Sequence, residues 1–282
     1  IYAGRLTDWS ELGGSGAIHA FARAPGSASR DIFDQNIFGP ARYGANVRAF
    51  RSFQTLSAAL ARDPQAIGYV PSGNGDAGIK PIRLRTGARL APQPDEYGLA
   101  TGDYPLSLQL TLYRSPSNHK PEIDDFFHEA QSIASQVDVI FSGFVRVGSA
   151  LLIPHVESPA PEVYRTVAAD ALRVDTTIRF QPGSTKIDAQ TEHALDDLAS
   201  YLRFLAVPAE HVRHFAFSDS SGNAARDIAV SRQLGNIVVD ELRRRRAYPG
   251  TVIALGSQAP ITSDFTPEGR RLNRRVETWI LP

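Results

Sequence analysis

The sequence predicts a two-part mixed α/β chain: an α/β lobe over residues 1–153, a proline-rich linker over 154–172, and an α+β layered sheet over 173–282. Three observations carry this. At 282 residues the chain exceeds what one ordinary hydrophobic core supports, so two domains of about 100–200 residues each are expected. Residues 154–161 (PHVESPAP) hold three prolines among polar residues, the composition of a stiff, extended connection. Beyond them, strand-like and helix-like runs alternate, the pattern of a sheet with helices layered on one face.

In the first part, Ile18 to Phe21 reads as a strand, followed by a Gly/Ser loop and a helix starting near Arg30. Phe53 to Ala61 has helical spacing, and Ala66 to Val70 and Leu106 to Tyr113 read as strands. In the last part, Thr176 to Phe180 alternates as a strand, and Gln181 to Ser184 forms a turn. Leu195, Leu198, Leu202 and Leu205 then recur at helical spacing. A strand over Val212 to Phe217 follows, then a helix from Asn223 to Arg246 and a strand from Thr251 to Leu255. A short helix over Thr266 to Leu272 and a strand over Val276 to Leu281 close the chain. Arg243 to Arg246, the densest basic run, reads as a solvated helix end whose cations suit the negative pole of the helix dipole.

Composition narrows the function classes. Apolar residues make up 42% and charged residues 21%, the mix of a folded globular protein. Thirty Lys+Arg against thirty Asp+Glu leave no net charge, which argues against the broad basic face that a phosphate backbone requires. No run of about twenty apolar residues is present, the longest candidate being the patchy stretch from Val139 to Pro154. Cysteine is absent, which excludes disulfides, thiolate nucleophiles and thiolate metal sites and suits an oxidising compartment. Ile1 stands where an initiator would, so a processed or truncated form with any targeting segment upstream is expected.

Arg23 at the end of a strand, followed by Ala24-Pro25-Gly26-Ser27-Ala28-Ser29 opening a helix, is what oxyanion capture asks for. Free N–H groups at a helix start, a guanidinium fork and two hydroxyls would all point at one anion. Ser29 reads equally as an ordinary helix cap. The order of four segments adds to this: residues 1–10 (IYAGRLTDWS), Arg23 to Phe33, residues 63–70 (DPQAIGYV) and residues 104–107 (YPLS). Over about residues 1–150 that order resembles the periplasmic phosphate-binding proteins of ABC transporters. The resemblance implies phosphate contacts from Arg23, Ser27 and Ser29 and the amides of Ala28 and Ser29. Ala28 stands where that family has Gly. It also implies that the chain starts where the family's second lobe begins.

The last hundred residues carry a second pattern. Phe180, Ser184 and Ile187 lead to Asp219 and Gly222, and then to residues 269–277 (GRRLNRRVE). This resembles the C-terminal domain of outer membrane protein A and its relatives, which grip peptidoglycan. Diaminopimelate carries an ammonium and a carboxylate close together, so its recognition calls for one carboxylate and one guanidinium held rigidly. The resemblance places Asp219 as that acid, with Ser221, Asp227 and Arg274 as further wall-contacting residues. Leu234 stands in the family's Arg slot and Asp227 in its Asn slot. Arg232 is about 200° around the helix from the slot. Arg226, Arg274 or Arg275 is the candidate replacement cation.

No enzyme class finds support. Seven histidines are scattered without HExxH or paired ligand spacing, and His211 and His214 are expected at the surface. No Walker loop, GxSxG or GxGxxG occurs, and the turn at 73–76 (GNGD) lacks the acids of a calcium loop. The sequence therefore reads as a non-enzymatic protein of a Gram-negative periplasm or cell envelope, without catalytic residues, cofactor or metal. In this reading an oxyanion-binding lobe is held near peptidoglycan. Two alternatives stay open: a scaffold or interaction protein in which both ligand sites have degenerated, and a receptor component of a phosphate ABC transporter. The expected partners are phosphate or a similar oxyanion, peptidoglycan, and a transporter or envelope protein, but no nucleic acid.

Overall fold

The computed structural model describes every residue except 39–40, 72–77, 87–88, 91–93, 95, 105, 108–109, 111, 116, 119, 131, 147–148 and 154–159, and the side chains of 35–36, 86, 89–90 and 133. In chain order the elements begin with β1 (His19–Arg23), α1 (Ala28–Phe33), β2 (Val47–Phe50), α2 (Phe53–Arg62), β3 (Ala66–Gly68), β4 (Arg85–Thr86) and β5 (Arg89–Leu90). They continue with α3 (Glu96–Ala100), α4 (Pro121–Ala130), α5 (Ile133–Phe141), β6 (Leu151–Leu152), α6 (Glu162–Asp170) and β7 (Leu172–Arg179). The last are α7 (Ala189–Leu205), β8 (Val212–Phe217), α8 (Ala224–Arg244), β9 (Thr251–Gly256), α9 (Pro267–Asn273) and β10 (Arg275–Ile280). Contacts divide the chain into one unit of Ile1–Ile82 and Leu106–Phe144, and a second of Arg83–Pro105 and Val145–Pro282.

The first unit is an α/β lobe. Its three-stranded sheet runs β2-β1-β3 with both pairs parallel, so α1 and α2 serve as the crossovers that parallel strands need. Phe21, Phe50 and Leu56 form its buried cluster, with Leu56 supplied by α2. Ser52 caps α2 by accepting from the Thr55 amide, which fixes where the helix begins.

The second unit is a five-stranded sheet of order β6-β7-β10-β8-β9. Only β8 and β9 pair in parallel, and α8 is their crossover. Alternation along the strands gives this sheet two faces. Val174, Ile178, Val212, Ala216, Val276 and Ile280 pack against Leu195, Leu198 and Leu202 of α7 and Leu234, Val238 and Leu242 of α8. Gly235 lets α8 press on the sheet, because a Cβ there would collide with Val252. On the other face Phe215, Phe217 and Trp279 pack against Tyr164 and Ala168 of α6.

That second face also carries charge. Arg275 Nε and Glu277 Oε1 are 2.7 Å apart, and Tyr164 Oη donates to Glu277 Oε2 at 2.6 Å. Arg173 Nη1 donates to Asp103 Oδ2 at 2.7 Å, and Arg179 Nη2 donates to Asp103 Oδ1 at 3.1 Å. Burial pushes the Asp103 carboxyl up, but the guanidiniums of Arg173, Arg179 and Arg275 outweigh it and hold the group well below the usual carboxylate range.

Several expectations are corrected. The linker expected over 154–172 is not linker throughout: Glu162–Asp170 is helix, because Tyr164 and Ala168, four residues apart, share one face that the sheet buries. The first residues of that linker, 154–159, lie outside the described residues, as does the turn at 73–76. Of the strand expected over Leu106 to Tyr113, residues 108, 109 and 111 lie outside the description, and the described ones are not in a strand. His214 is fully buried in β8, with Nδ1 and Nε2 bonded to Thr278 Oγ1 at 3.0 Å and the Pro249 carbonyl at 2.6 Å. In the basic run at the end of α8, Arg243 and Arg244 are solvent-exposed, and only Arg245 departs from that reading, largely covered and paired with Glu192, Asp196 and Glu241.

Candidate functional site

The two regions singled out in the sequence lie in different units. In the first, β1 ends at Arg23 and the chain turns through Gly26, whose φ of 80° is the left-handed conformation that glycine tolerates. Ser27, rather than Ser29, is the cap of α1: its side chain accepts from the Arg30 amide at 3.3 Å. The Arg23 amide donates to Tyr69 Oη at 3.2 Å, and its carbonyl accepts from Arg30 Nη1 at 2.9 Å. Arg30 is further engaged by Asp34 at 3.2 Å and lies 3.6 Å from the centre of the Tyr43 ring. The Arg23 guanidinium differs from that of Arg30. Its Nε and Nη1 are buried and have no hydrogen-bond partner among the described residues. Arg23, Ser27, Ala28 and Ser29 thus share one turn, with two unmatched cationic donors beside it.

The second region is the loop between β8 and α8. Its shape is set by side chains acting on backbone. Asp227, buried in the first turn of α8, accepts from the Ser221 amide at 3.0 Å and from Ser221 Oγ at 2.6 Å. Burial pushes the Asp227 carboxyl up, and the hydrogen bonds from Ser221 and Ser257 outweigh it, leaving the group below its ordinary range. Ser220 donates its amide to Asp264 Oδ2 at 2.9 Å, and Asp264 Oδ1 accepts from Asn273 Nδ2 at 2.9 Å. Asn273 also accepts from the amides of Ile261 and Thr262 at 2.7 and 3.2 Å, so it pins the loop that carries Asp264. Sequence reasoning singled out Asn273 for the fold alone and missed Asp264.

Asp219 and Arg274 are brought together, Nη1 to Oδ1 at 2.8 Å. Arg274 is otherwise spent on the backbone: Nε donates to the Gln181 carbonyl at 3.1 Å and Nη2 to the Ser184 carbonyl at 2.7 Å. The Arg274 side chain is 5% exposed and that of Asp219 18%. Leu234, in the slot where a guanidinium was sought, is fully buried in the apolar cluster beneath α8. Arg275 is equally buried, on the opposite face of the sheet with Glu277. Arg226 is exposed in the first turn of α8, and its side chain makes no hydrogen bond or ion pair among the described residues. Among those residues no group of three or more His, Asp or Glu could hold a metal ion, and no helix is long and apolar enough to cross a membrane.

Comparison with known proteins finds two families, one over each of these regions. Residues 1–132 match the PBP superfamily domain, and residues 179–274 match the OmpA family. The chain is similar to the peptidoglycan-binding protein ArfA of Mycobacterium tuberculosis, 37% identical over 100 residues, which is 35% of this chain and 30% of that protein. It is also similar to outer membrane porin F of Pseudomonas aeruginosa, 25% identical over 115 residues, 40% of this chain and 32% of the porin. The chain therefore spans about a third of the length of these relatives. Among solved structures, an ABC-type phosphate transport receptor from Vibrio cholerae aligns with TM-score 0.42 and 17% identity over 52% of this chain and 60% of that one. The peptidoglycan-associated lipoprotein from Burkholderia pseudomallei aligns with TM-score 0.32 and 18% identity over 38% and 89%.

Proposed function

The chain joins a PBP superfamily domain over residues 1–132 to an OmpA family domain over residues 179–274, and from that premise we propose that it is a non-enzymatic protein of a Gram-negative cell envelope that holds an oxyanion-binding lobe near peptidoglycan. The observation that carries the ligand is Arg23. A buried donor left unpaired costs about 1–3 kcal/mol, more when charged, and Arg23 leaves two such atoms unpaired. A phosphate-like anion at the turn would accept from that guanidinium, with the Ser27 hydroxyl and the amides of Ala28 and Ser29 in support. Titration of the full chain with phosphate tests this. Arg23→Ala should weaken binding at least tenfold, as expected for loss of a charge-assisted contact of about 1.5–3 kcal/mol; an unchanged isotherm removes Arg23 from the site.

The wall partner is peptidoglycan, approached through the loop that carries Asp219, with Ser221 and Asp227 shaping that loop. Asp219 would take the ammonium of diaminopimelate. Its carboxylate finds no guanidinium at Leu234, and Arg274 is already held by three internal acceptors. Arg226 is the remaining candidate, and weak binding is expected. Heat equal to that of buffer alone, on titration with a diaminopimelate-containing muropeptide at millimolar concentration, would end this claim. The burial of Leu234 favours a second reading, in which the wall site has degenerated and the domain serves as a scaffold. In a third, the lobe is a receptor component of a phosphate transporter.

A further inference from the structure

Residues 96–104 fall inside the stretch that matches the PBP superfamily domain, yet they belong to the compact unit of the C-terminal sheet. The chain leaves the first unit after Ile82 and rejoins it at Leu106. Between these points α3 and the turn after it dock on the charged face of the sheet, and they do so through polar atoms. Tyr97 Oη accepts from Arg173 Nη1 at 2.9 Å, and Asp103 accepts from Arg173 and Arg179 at 2.7 and 3.1 Å. The carbonyls of Thr101 and Gly102 accept from Arg179 Nη2 at 3.0 and 3.1 Å. Neither of the apolar clusters that flank the sheet includes a residue of 96–104.

We propose that residues 96–104 form a releasable latch, docked on the sheet by charge and able to detach while the sheet stays folded. Three observations support the release step. Apart from the Tyr97 ring, the groups uncovered by detachment are guanidiniums, a carboxylate and carbonyls, which water solvates well, and no residue of 96–104 belongs to either apolar cluster. A buried ion pair adds little net stability, because desolvation offsets most of the attraction, so the docked state is held far less firmly than the strands. Arg173 also has a second acid in reach: Glu277 Oε2 lies 3.7 Å from the same Nη1 that binds Asp103. When Asp103 leaves, Arg173 keeps Glu277 in reach, and Arg179 keeps the Leu272 carbonyl and gains water where the segment lay. In the docked state the amides of Thr101, Gly102, Asp103 and Tyr104 donate to carbonyls of residues 97–99, and so short a hydrogen-bonded stretch loses these bonds once it detaches.

Hydrogen exchange on the full chain tests this, read at those four amides and at the amides of β7 and β10. In the unsubstituted protein the four latch amides should exchange at least tenfold faster than those of β7 and β10, reporting an opening below global unfolding. Asp103→Asn should accelerate the latch amides about tenfold further and leave β7 and β10 unmoved. Tyr97→Phe, which removes one hydrogen bond and keeps the ring, should give a smaller acceleration of the same four. Latch amides that exchange at the rate of the strands in the unsubstituted protein would overturn the proposal, as would an Asp103→Asn variant in which latch and strands accelerate together. The first of these measurements decides the matter even where a variant does not fold.

Discussion

Two buried groups in the C-terminal unit should pull stability in opposite directions over one pH window. Burial lowers the His214 imidazole from 6.5 to about 4, with the hydrogen bond to the Pro249 carbonyl opposing. Burial raises the Asp175 carboxyl from 3.8 to about 6, against hydrogen bonds from Ala150 and Thr176. The signs follow from linkage. His214 is neutral when folded and takes a proton when unfolded, so its contribution is complete above 6.5 and is lost as pH falls toward 4. Asp175 holds a proton when folded and not when unfolded, so its contribution is present at low pH and is lost as pH rises through 6. From pH 7 to pH 5 the His214 effect is a loss of about 2 kcal/mol and the Asp175 effect a gain of about 1 kcal/mol, at about 1.4 kcal/mol for each tenfold change in proton binding. Together these two groups should thus change stability by less than about 1 kcal/mol across this window. Removing either group exposes the other. His214→Gln should be more stable at pH 5 than at pH 7, and Asp175→Asn less stable. Urea unfolding followed by Trp279 fluorescence, with Trp9 replaced by Phe, reads both slopes. Parallel slopes in the two variants would refute the argument.

Two further predictions concern packing and the Asp219 loop. Gly269→Ala places a Cβ against the backbone carbonyl of Ser263, which cannot rotate away, so a loss of about 1–3 kcal/mol is expected. Gly222→Ala meets no atom and carries only the strain of its φ of 79°, about 1–2 kcal/mol; urea midpoints should rank Gly269→Ala as the more damaging. Arg274→Ala leaves Asp219 and two carbonyls without a donor and should cost about 3–5 kcal/mol. Asp219→Asn keeps both carbonyl contacts of Arg274 and should cost about 1–3 kcal/mol. The reverse order in thermal unfolding would show that Arg274 is not the residue holding this loop.

Much of the C-terminal sheet was legible because several of its strands and α7 carry apolar residues in short runs or at helical spacing. The strand Val212 to Phe217, the leucines of α7 and the terminal strand were each located from that alone. Alternation separates two faces of a strand but does not say what covers them. Arg173 and Arg179 lie on the charged face of β7, and the segment that covers them comes from some 70 residues upstream of Arg173. His214 was misjudged for the same reason, since β8 is covered on both sides. Helix α6 went unseen because prolines precede it and only Tyr164 and Ala168 show its inward face. At the candidate sites, spacing found the Arg23 turn and the Asp219 loop. It could not reveal that the carbonyls of Gln181 and Ser184 claim Arg274, because carbonyls belong to every residue and leave no trace in the letters.

The docking of residues 96–104 on the C-terminal sheet bears on how such a fusion can evolve. Two modules strung end to end can be shuffled by recombination at the junction, each carrying its whole interior with it. Here a stretch inherited with one module neutralises arginines that belong to the other. A crossover at the family boundary would take Asp103 from Arg173 and Arg179, leaving Glu277 as the acid in reach of Arg173 and Arg179 without an acid partner. The two halves are therefore expected to be inherited together, and substitutions at Asp103 and Arg173 to track one another through descent.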